Sequence, residues 1–408
     1  MAAYGKLARY STVGAGAAAI TLAFSQISYS LDFLGNSNVG HFLHSPLEAS
    51  LTACQGVVRS SRAVYTFTVN SLDYKYSLRG YDYKSEEYYQ VRSQVHLRAA
   101  KRILKLCESN KGFYLKAGQF VASMQHVPKE YTSTLSTLQD QAVPCHIEAI
   151  KQVFIDNFGK DISDIYMTFD EQPIAAASIA QVHHATLVDG QEVAVKVQYP
   201  GLQQKLRVDI TTMTFLSHAI TWIFPEYQFE WIVPEFENTL SKELDFVQEA
   251  ANAERTARNF RENSTVKVPH IFWDFTRTQV LTMEFIHGCK IDNLECLLKA
   301  GLNPSKVAQA LVEVFAEMIF VHGYVHGDPH PGNILVLPHS SKKQSFDIVL
   351  LDHGIYRELD ERFRMDFCHL WKALILLDPH EVKQMGERIG AGKYYQYLPV
   401  IFTGRTIG

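Results

Sequence analysis

The spacing of apolar side chains predicts an amphipathic helix near the end of the first hundred residues. Apolar residues recur at helical spacing from position 91 to 106, and Ser85 with two glutamates precedes them. A small polar residue followed by acids is typical of a helix N-terminus. We therefore predict a helix that begins at Ser85, and a surface loop or linker in the tyrosine-rich residues 65–89.

Further along the chain, the period of the pattern changes from that of a helix to that of strands. Two short apolar runs, Ile179–His183 and Glu192–Val197, flank Asp189 and Gly190. This arrangement predicts a β-hairpin with a tight turn. A charged helical segment follows at 235–262.

The last third of the chain is richer in helix than the middle. Asn303 and Pro304 predict a helix start, because a capping amide precedes a proline in the first turn, and Gly323 predicts its end. The remaining predicted elements are a strand at 280–285, a pair of strands at 334–337 and 348–351, and an apolar helix at 367–377. A strand-rich part thus precedes a helix-rich part.

Length and composition indicate an ordinary globular protein of two or three domains. The chain has 408 residues, of which 47% are hydrophobic and 20% charged. Lysine and arginine number 39 against 43 acidic residues, and this net charge of −4 argues against a nucleic-acid partner. The six cysteines form no C-x-x-C pair, so we expect reduced, buried thiols.

The N-terminal segment has the composition of an address or an anchor. Lys6 and Arg9 are the only charged residues before Asp32, and Tyr10–Leu31 is an uncharged run. A basic, acid-free start that contains Ala and Ser is typical of an organelle transit peptide, and a run of this length could also span a bilayer. We expect mitochondrial targeting; a secretory signal and an apolar leader are the alternatives.

Four elements that carry chemistry stand in a fixed order along the chain. They are the small-residue turn Ala175-Ala176-Ala177-Ser178, Lys196 on an apolar strand, the segment His326–Asn333, and Asp352-His353-Gly354 after a strand. Phosphoryl transfer from a nucleotide requires a lysine for the non-transferred phosphates, oxygen ligands for magnesium, and a carboxylate for the acceptor hydroxyl. We assign these three roles to Lys196, to the pair Asn333 and Asp352, and to the catalytic Asp328.

A helical glutamate is expected to hold the lysine in place. Glu249 is our candidate, because it lies on the charged helix after the lysine strand and shares a face with Asp245. The alternative is a solvated acidic face. A zinc site is a further alternative, suggested by four histidines close in sequence: His322, His326, His330 and His339. Their spacing does not suit zinc, and magnesium better explains the aspartates.

Together these elements resemble the UbiB/aarF family of atypical protein-kinase-like proteins from about residue 85 onward. Lys116-Ala117-Gly118-Gln119 matches the K-x-G-Q motif of that family, and Glu243-Leu244-Asp245 matches its E-x-D motif. The alanine-rich turn stands where ordinary kinases have a glycine-rich loop. The resemblance implies an α+β, bilobal, atypical protein-kinase-like fold, with a β-rich N-lobe, a helical C-lobe and an N-terminal helical extension that carries K-x-G-Q.

The resemblance also implies binding of ATP or ADP with Mg²⁺, residence at the mitochondrial inner membrane, and a link to isoprenoid-quinone or membrane-lipid homeostasis. It places Lys116, Gly118, Gln119, Glu243 and Asp245 near the nucleotide. The expected nucleotide-binding residues are Ile174, Ala175, Ala176, Ala177, Ser178, Val182, Lys196, Glu249, Glu284 and Ile286. The partners implied are the nucleotide, a lipid or quinone-type small molecule and the mitochondrial membrane.

Several features argue against efficient phosphorylation of proteins. Alanines replace the glycines that let the backbone approach phosphate, and Gly327 replaces the arginine that usually meets an activation-loop phosphate. About five residues separate Gly354 from the helix start predicted near Asp360, too few to present a peptide. We expect a phosphotransferase or ATPase; a kinase with a small-molecule or lipid hydroxyl acceptor and a non-enzymatic nucleotide-responsive scaffold are the alternatives.

The predicted domain organisation follows these assignments. It comprises a targeting or transmembrane segment at 1–31, a linker at 32–84, the helical K-x-G-Q extension at 85–150, the N-lobe at 151–286 and the C-lobe at 287–408. Members of the family usually continue with more helices, so we expect an incomplete C-lobe.

Overall fold

The computed structural model describes residues 46–124, 127–138, 144–177, 179–224, 232–339 and 345–404. The predicted targeting segment and Ser178 lie outside the described residues. Within these ranges, no helix combines the length and apolar character needed to cross a bilayer.

The helices and strands are numbered in chain order. The helices are α1 (Pro46–Ser77), α2 (Glu86–Asn110), α3 (Phe113–Ser123), α4 (Lys129–Leu135), α5 (Ile147–Phe158), α6 (Leu202–Ile223), α7 (Ile232–Glu243), α8 (Phe246–Asn259), α9 (Leu294–Lys299), α10 (Pro304–Glu317), α11 (Glu361–Leu376), α12 (Pro379–Arg388) and α13 (Leu398–Thr403). The strands are β1 (Tyr166–Phe169), β2 (Ala175–Ala176), β3 (Ala180–Leu187), β4 (Glu192–Gln198), β5 (Val266–Lys267), β6 (Val280–Glu284), β7 (Cys289–Lys290), β8 (Tyr324–His326), β9 (Ile334–Pro338), β10 (Phe346–Leu350) and β11 (Tyr356–Glu358).

Three sheets contain these strands. The first has the strand order β1-β3-β4-β6, with β2 paired to β3, and the second has the order β5-β10-β9-β7. The third consists of β11 and β8. The pairing of β10 with β5 is parallel, whereas β10 and β9 form the antiparallel pair that the sequence predicted.

The described part of the chain divides into two compact units. The first contains the described residues up to Ile162 and those within Phe169–His183 and Lys196–Leu244. The second contains Ser163–Thr168, His184–Val195 and Asp245–Gly408.

In the first unit, α1 packs on α2 and α6, and α2 also packs on α3 and α4. The predicted loop over 65–89 is therefore wrong for residues 65–77, which belong to α1. Ala63 and Val64 are buried, whereas Tyr65 and Tyr76 are exposed. The exposed tyrosines of α1 account for the polar, aromatic composition of this segment, which is similar to that of a surface loop. Ser85 does cap α2 as predicted, since its side chain accepts from the Tyr88 N–H.

A buried ion pair joins α1 to α6. Arg59 Nε donates to Asp209 Oδ1 at 3.0 Å, its Nη2 donates to Asp209 Oδ2, and its Nη1 donates to the Asn110 carbonyl. Asp209 is 1% exposed, and burial raises its pKa while Arg59 opposes the shift. Ser60 Oγ and Thr212 Oγ1 form a hydrogen bond of 2.8 Å alongside it. These contacts link residues 150 positions apart and fix α1 against the rest of the unit.

A second buried polar chain lies in the same unit and includes β3. The Gln181 amide accepts from the Cys145 N–H at 2.7 Å and donates to His183 Nε2 at 2.9 Å. His183 Nδ1 then donates to the Asp170 carbonyl at 2.7 Å. Both side chains are fully buried, and burial lowers the pKa of His183. A neutral imidazole suits this arrangement, because one nitrogen accepts and the other donates.

In the second unit, the main core lies between α10 and the β5-β10-β9-β7 sheet. Its most buried members are Leu297, Val307, Val314, Met318, Ile334, Val336, Ile348 and Leu350. Asn303 caps α10 and Gly323 ends it in the left-handed conformation, as predicted, although residues 318–322 form a π-helical turn between them. Cys289 and Cys296 form a disulfide, so the prediction of reduced thiols is wrong for these two.

Removing one partner of the buried ion pair should destabilise the first unit. We expect Arg59→Met to lower the free energy of unfolding by about 3 kcal/mol, because Asp209 loses its guanidinium while it stays buried. Arg59→Met with Asp209→Leu should recover most of that loss. Urea unfolding curves measure both. Arg62→Met, one turn along α1, is the matched control, and a loss there as large as at Arg59 would contradict the assignment.

The stability of the first unit should fall in mild acid. The pKa of His183 is lower in the folded than in the unfolded chain, so the unfolded chain takes up the proton first as the pH falls through about 6.5. Neutral His183 therefore makes its full contribution to the free energy of unfolding above this pH, and that free energy decreases as the pH falls below it. We expect His183→Gln to reduce the difference between urea midpoints at pH of about 7.5 and 5.5. Replacement of the exposed His146 of the same unit by Gln is the matched control, and an equal effect there would count against His183.

Candidate functional site

Strands β2, β3 and β4 align three predicted nucleotide-binding residues that belong to the first unit. Ala175 of β2 is the direct partner of Val182 in β3. The β3–β4 hairpin is closed by Leu187 N–H to the Gln191 carbonyl and, at its far end, by Tyr199 N–H to the Ile179 carbonyl. A constant register between these two bonds places Lys196 opposite Val182. Directly opposed residues point to the same face, so Ala175, Val182 and Lys196 form one row.

The opposite face of this hairpin is the buried one. Gln181, His183, Val195 and Val197 are buried, whereas Val182 and Lys196 are only half-buried. The lysine side chain therefore lies on the more accessible face of the sheet. This placement suits a cation that must reach a ligand, and it follows from the two-residue alternation of the strand.

The alanine-rich turn is a short hairpin. Ile174 N–H donates to the Val182 carbonyl at 2.8 Å, and Ala177 N–H donates to the Ala180 carbonyl at 2.8 Å. The side chains of Ile174 and Ala175 are exposed. Two backbone N–H groups of this segment are thus used within the hairpin, unlike a glycine-rich loop whose N–H groups cradle phosphate.

The K-x-G-Q motif lies on α3, and each of its defining residues has a contact within the first unit. Lys116 Nζ and Glu243 Oε2 form an ion pair of 3.2 Å, and Gln119 Nε2 donates to the Leu138 carbonyl at 3.2 Å. A Cβ on Gly118 would lie 2.4 Å from Leu138 Cδ1 and 3.0 Å from Cys107 Sγ. A side chain at residue 118 would therefore have to displace the end of the Leu138 side chain for α3 to keep its packing.

The E-x-D motif divides into two structural roles. Glu243 is the last residue of α7 and pairs with Lys116, whereas Asp245 belongs to the second unit and caps α8. The Asp245 carboxylate accepts from the N–H groups of Val247 and Gln248. The charged segment 235–262 is thus two helices separated at Leu244, where the sequence predicted continuous helical character.

In the second unit, His326 links the loop of Asp328, the predicted catalytic residue, to the loop of Asp352, a predicted metal ligand. It is 3% exposed, and its Nδ1 accepts from the Asp328 N–H at 3.1 Å. Because Nδ1 is an acceptor, Nε2 carries the proton and donates to the Asp352 carbonyl. One imidazole thus holds the backbone beside Asp328 and the backbone of Asp352.

Gly327 follows His326 at a point where Ile355 leaves little room for a side chain. Its N–H donates to the Ile355 carbonyl at 2.8 Å, next to the pairing of His326 with Tyr356 between β8 and β11. A Cβ at residue 327 would lie 2.6 Å from Ile355 Cγ2 and 3.2 Å from the Ile355 carbonyl oxygen. The arginine expected here in a protein kinase would therefore have to displace Ile355.

The backbone segments that carry the two predicted metal ligands lie side by side at the end of the β9–β10 ladder. Ile334 pairs with Leu350, and beyond them Leu351 N–H donates to the Asn333 carbonyl at 3.0 Å, one residue before Asp352. Asn333 Nδ2 lies 3.5 Å from the Asp328 carbonyl, and Gly354 N–H donates to Asp352 Oδ1 at 3.0 Å. An amide oxygen and a carboxylate are the hard oxygen ligands that Mg²⁺ prefers, so the donor set fits this ion.

The structure brings Asp328, Asn333 and Asp352 together within the second unit. Lys196 belongs to the first unit, and its convergence with them stays a prediction. Glu249 lies on α8 in the second unit and is 2% exposed, so the alternative of a solvated acidic face is wrong. A carboxylate buried to this degree is almost always paired.

The predicted residues around 284–286 are held by backbone and ionic contacts. Glu284 accepts from Lys267 Nζ through Oε1 and from the His270 N–H through Oε2. Gly288 N–H donates to the carbonyl of Ile286, whose side chain is half-buried. The side chain of Glu284 is thus engaged in an ion pair within the second unit.

The four histidines that suggested zinc are held by separate partners. His322 faces Glu317 at 3.1 Å, His330 accepts from the Gly332 N–H at 3.0 Å, and His339 faces Asp347 at 2.7 Å. His326 serves the two loops as described. Within the described ranges, no group of three or more His, Cys, Asp or Glu side chains is arranged to hold a metal.

Sequence reasoning missed the polar residues that support the loop after Asp352. Asn252 of α8 donates to the His353 carbonyl, and Tyr356 hydrogen-bonds His353 Nδ1 at 2.9 Å. Asn252 lies three residues after Glu249, so it shares a helix face with a residue that we had singled out. That spacing was the one signal available, and it cannot identify a partner on another element.

Comparisons with known proteins find a family model and several relatives that match this chain. Residues 137–386 match the ABC1 atypical kinase-like domain. The chain is 44% identical over 352 residues to AarF domain-containing protein kinase 1 of Mus musculus. The aligned region covers 86% of this chain and 67% of the relative. It is 36% identical over 354 residues to AarF domain-containing kinase 1 of Drosophila melanogaster, over 86% of this chain and 68% of the relative.

A solved structure shares the fold. The complex of Rv3197 with erythromycin from Mycobacterium tuberculosis has a TM-score of 0.52 and 24% identity, and the likeness covers 74% of this chain and 75% of that chain. Together with the domain match, this likeness confirms the predicted α+β, atypical kinase-like fold with a helical N-terminal region.

A methyl group at residue 327 should strain the junction of the two loops. We expect Gly327→Ala to lower the free energy of unfolding by about 1–3 kcal/mol, because the new Cβ meets Ile355. In Ile355→Ala the contacting methyl is gone, so the same glycine substitution should cost less in that background. Unfolding curves of the two single variants and the double variant give the coupling energy. Strictly additive losses would show that Ile355 is not the cause.

Proposed function

The chain belongs to the ABC1 family of atypical kinase-like proteins, the family of the AarF domain-containing kinases, and from this premise we propose that it binds ATP or ADP with magnesium and acts as a phosphotransferase or ATPase. The observation that carries the proposal is the junction of Asp328, Asn333 and Asp352. Hydrogen bonds from His326 and Leu351 hold these three residues in adjacent loops. They provide a carboxylate for the acceptor hydroxyl and two oxygen ligands for magnesium.

Each residue has a distinct role in this proposal. Asn333 and Asp352 hold the magnesium ion, which neutralises charge on the phosphates. Lys196 neutralises the non-transferred phosphates and is positioned by Glu249. Asp328 orients the acceptor hydroxyl or water and takes its proton. Ala175 and Val182, in one row with Lys196, lie against the nucleotide.

The proposed acceptor is a small molecule or a lipid-like hydroxyl rather than a protein. After Gly354 the chain enters β11 at Tyr356, and Asp360 already caps α11. No length remains between Gly354 and α11 for a segment that would present a peptide. We also propose mitochondrial residence at the inner membrane and a role in membrane-lipid or isoprenoid-quinone homeostasis. The basic, acid-free N-terminal sequence and the family resemblance support this part.

Two aspartate variants separate binding from chemistry. We expect Asp352→Asn to lose the rise in melting temperature that magnesium and ADP cause together, since a neutral amide is a poorer ligand. Asp328→Asn should keep that rise and lose turnover by about 100-fold or more, because the base is removed. Thermal shift with ADP and magnesium, and phosphate release from ATP, measure the two effects.

The matched control is Asp360→Asn, which keeps a capping side chain at the start of α11 in the same unit. It should behave as the wild type in both assays. If Asp352→Asn bound magnesium nucleotide as tightly as the wild type, the metal-site assignment would be wrong. A wild-type protein whose melting temperature ignores every nucleotide at saturating concentration would overturn the proposed function.

A further inference from the structure

The metal-binding loop is held from outside by one buried amide. We propose that Asn252 of α8 is a positioning residue for magnesium binding, acting through the His353 carbonyl on the ligand Asp352. This inference rests on the proposed function, since it presumes that Asp352 binds the metal. It adds a residue that does not touch the nucleotide and that sets the orientation of the loop.

The orientation of the Asn252 amide is fixed by its neighbours. Its Nδ2 donates to the His353 carbonyl at 2.9 Å, while its Oδ1 accepts from Tyr324 Oη at 2.8 Å and from Gln248 Nε2 at 2.9 Å. Two donors at one end of the amide identify that end as the oxygen. The N–H end must therefore face His353. Asn252 and Tyr324 are 8% and 6% exposed, so water does not readily replace these bonds.

The peptide groups after Asp352 are consequently fixed from two sides. The Asp352 carbonyl accepts from His326, and the next carbonyl, that of His353, accepts from Asn252. The ring of His353 is itself held, because Nε2 donates to the Leu350 carbonyl at 3.0 Å and Nδ1 accepts from the Tyr356 hydroxyl at 2.9 Å. The backbone that carries the Asp352 carboxylate thus has little freedom to rotate.

Loss of the Asn252 N–H has a definite consequence for the loop. The His353 carbonyl lies in a buried segment, and an unpaired buried carbonyl is costly enough to drive a rearrangement. The peptide that would rotate to find another donor joins His353 to Gly354, and its N–H is the group that donates to Asp352 Oδ1. Rotation of this peptide would therefore withdraw a donor from the Asp352 carboxylate. Partners that orient metal ligands typically change metal affinity by about 10- to 100-fold when they are removed.

The contacts around Asn252 connect α8 to the loop after Asp352 and to the strands β8 and β11. Arg255, one residue before the buried Thr256, lies 4.0 Å from the Tyr324 ring centroid and pairs with Glu358 of β11 at 2.6 Å. The rings of Tyr324 and Tyr356 stack at 4.4 Å. Tyr324, which donates to Asn252, and Tyr356, which bonds the His353 ring, are therefore packed against each other. The Asn252 amide connects α8 to this pair of rings and to the His353 carbonyl.

The test compares nucleotide binding with and without magnesium in Asn252→Asp and Asn252→Leu. The first keeps the acceptor for Tyr324 and replaces the N–H group, and the second is an apolar residue of similar size. Calorimetric titration with ADP in excess magnesium, and again in EDTA, gives the contribution of the metal to affinity. We expect that contribution to fall by about 10-fold or more, with ADP affinity in EDTA unchanged. Gln248→Ala is the matched control, since it removes a donor to Oδ1 and leaves the bond to His353 intact.

The outcomes are distinguishable. A metal contribution within twofold of the wild type in both Asn252 variants overturns the inference and leaves the proposed function standing. Equal losses with magnesium and with EDTA, or failure of both variants to fold by circular dichroism, assign Asn252 a general structural role and also overturn it. Absence of magnesium-dependent ADP binding in the wild type is a failure of the proposed function itself.

Discussion

The hydrogen bonds of one buried imidazole determine how the candidate site is built. His326 must accept at Nδ1 from the Asp328 N–H and donate at Nε2 to the Asp352 carbonyl, and only the neutral form with a proton on Nε2 satisfies both. Backbone groups in a buried loop need hydrogen-bond partners. Here a single side chain bonds the backbone of Asp328 and that of Asp352, which are 24 residues apart in the sequence. The adjacent Gly327, the short strand β8 and the turn after Asp352 are all arranged around this ring.

Local signals in the sequence predicted the elements well, because caps and turns depend on a few neighbouring residues. Ser85, Asn303 and Asp360 cap helices, and Asp189-Gly190 lies in the turn between β3 and β4. The prediction failed for α1, whose stability comes from Arg59 and from packing on α6, 150 residues away. Nothing in the tyrosine-rich segment itself shows that such a partner exists.

The site residues were predictable to the extent that their chemistry follows chain order. The aspartates, the asparagine and the lysine could be assigned from their types and sequence, and three of them do lie together in one unit. The supporting contacts could not be assigned in this way. The Lys116–Glu243 pair, the cap formed by Asp245 and the amide of Asn252 each depend on which helices meet. A residue type alone, such as a buried asparagine, does not identify the carbonyl that it serves.

Two departures from protein kinases have the same structural cause. The segment after Gly354 pairs at once with β8, with Tyr356 opposite His326 and Glu358 opposite Tyr324. This pairing uses the residues that would otherwise form a peptide-presenting segment. It also brings Ile355 against residue 327, where a Cβ would lie 2.6 Å from a side-chain carbon. A side chain at this position, such as the arginine that meets an activation-loop phosphate in protein kinases, would have to displace Ile355. The β8–β11 pairing therefore supports the proposal of a small or lipid-like acceptor, because it leaves no segment to present a peptide and crowds the position of that arginine.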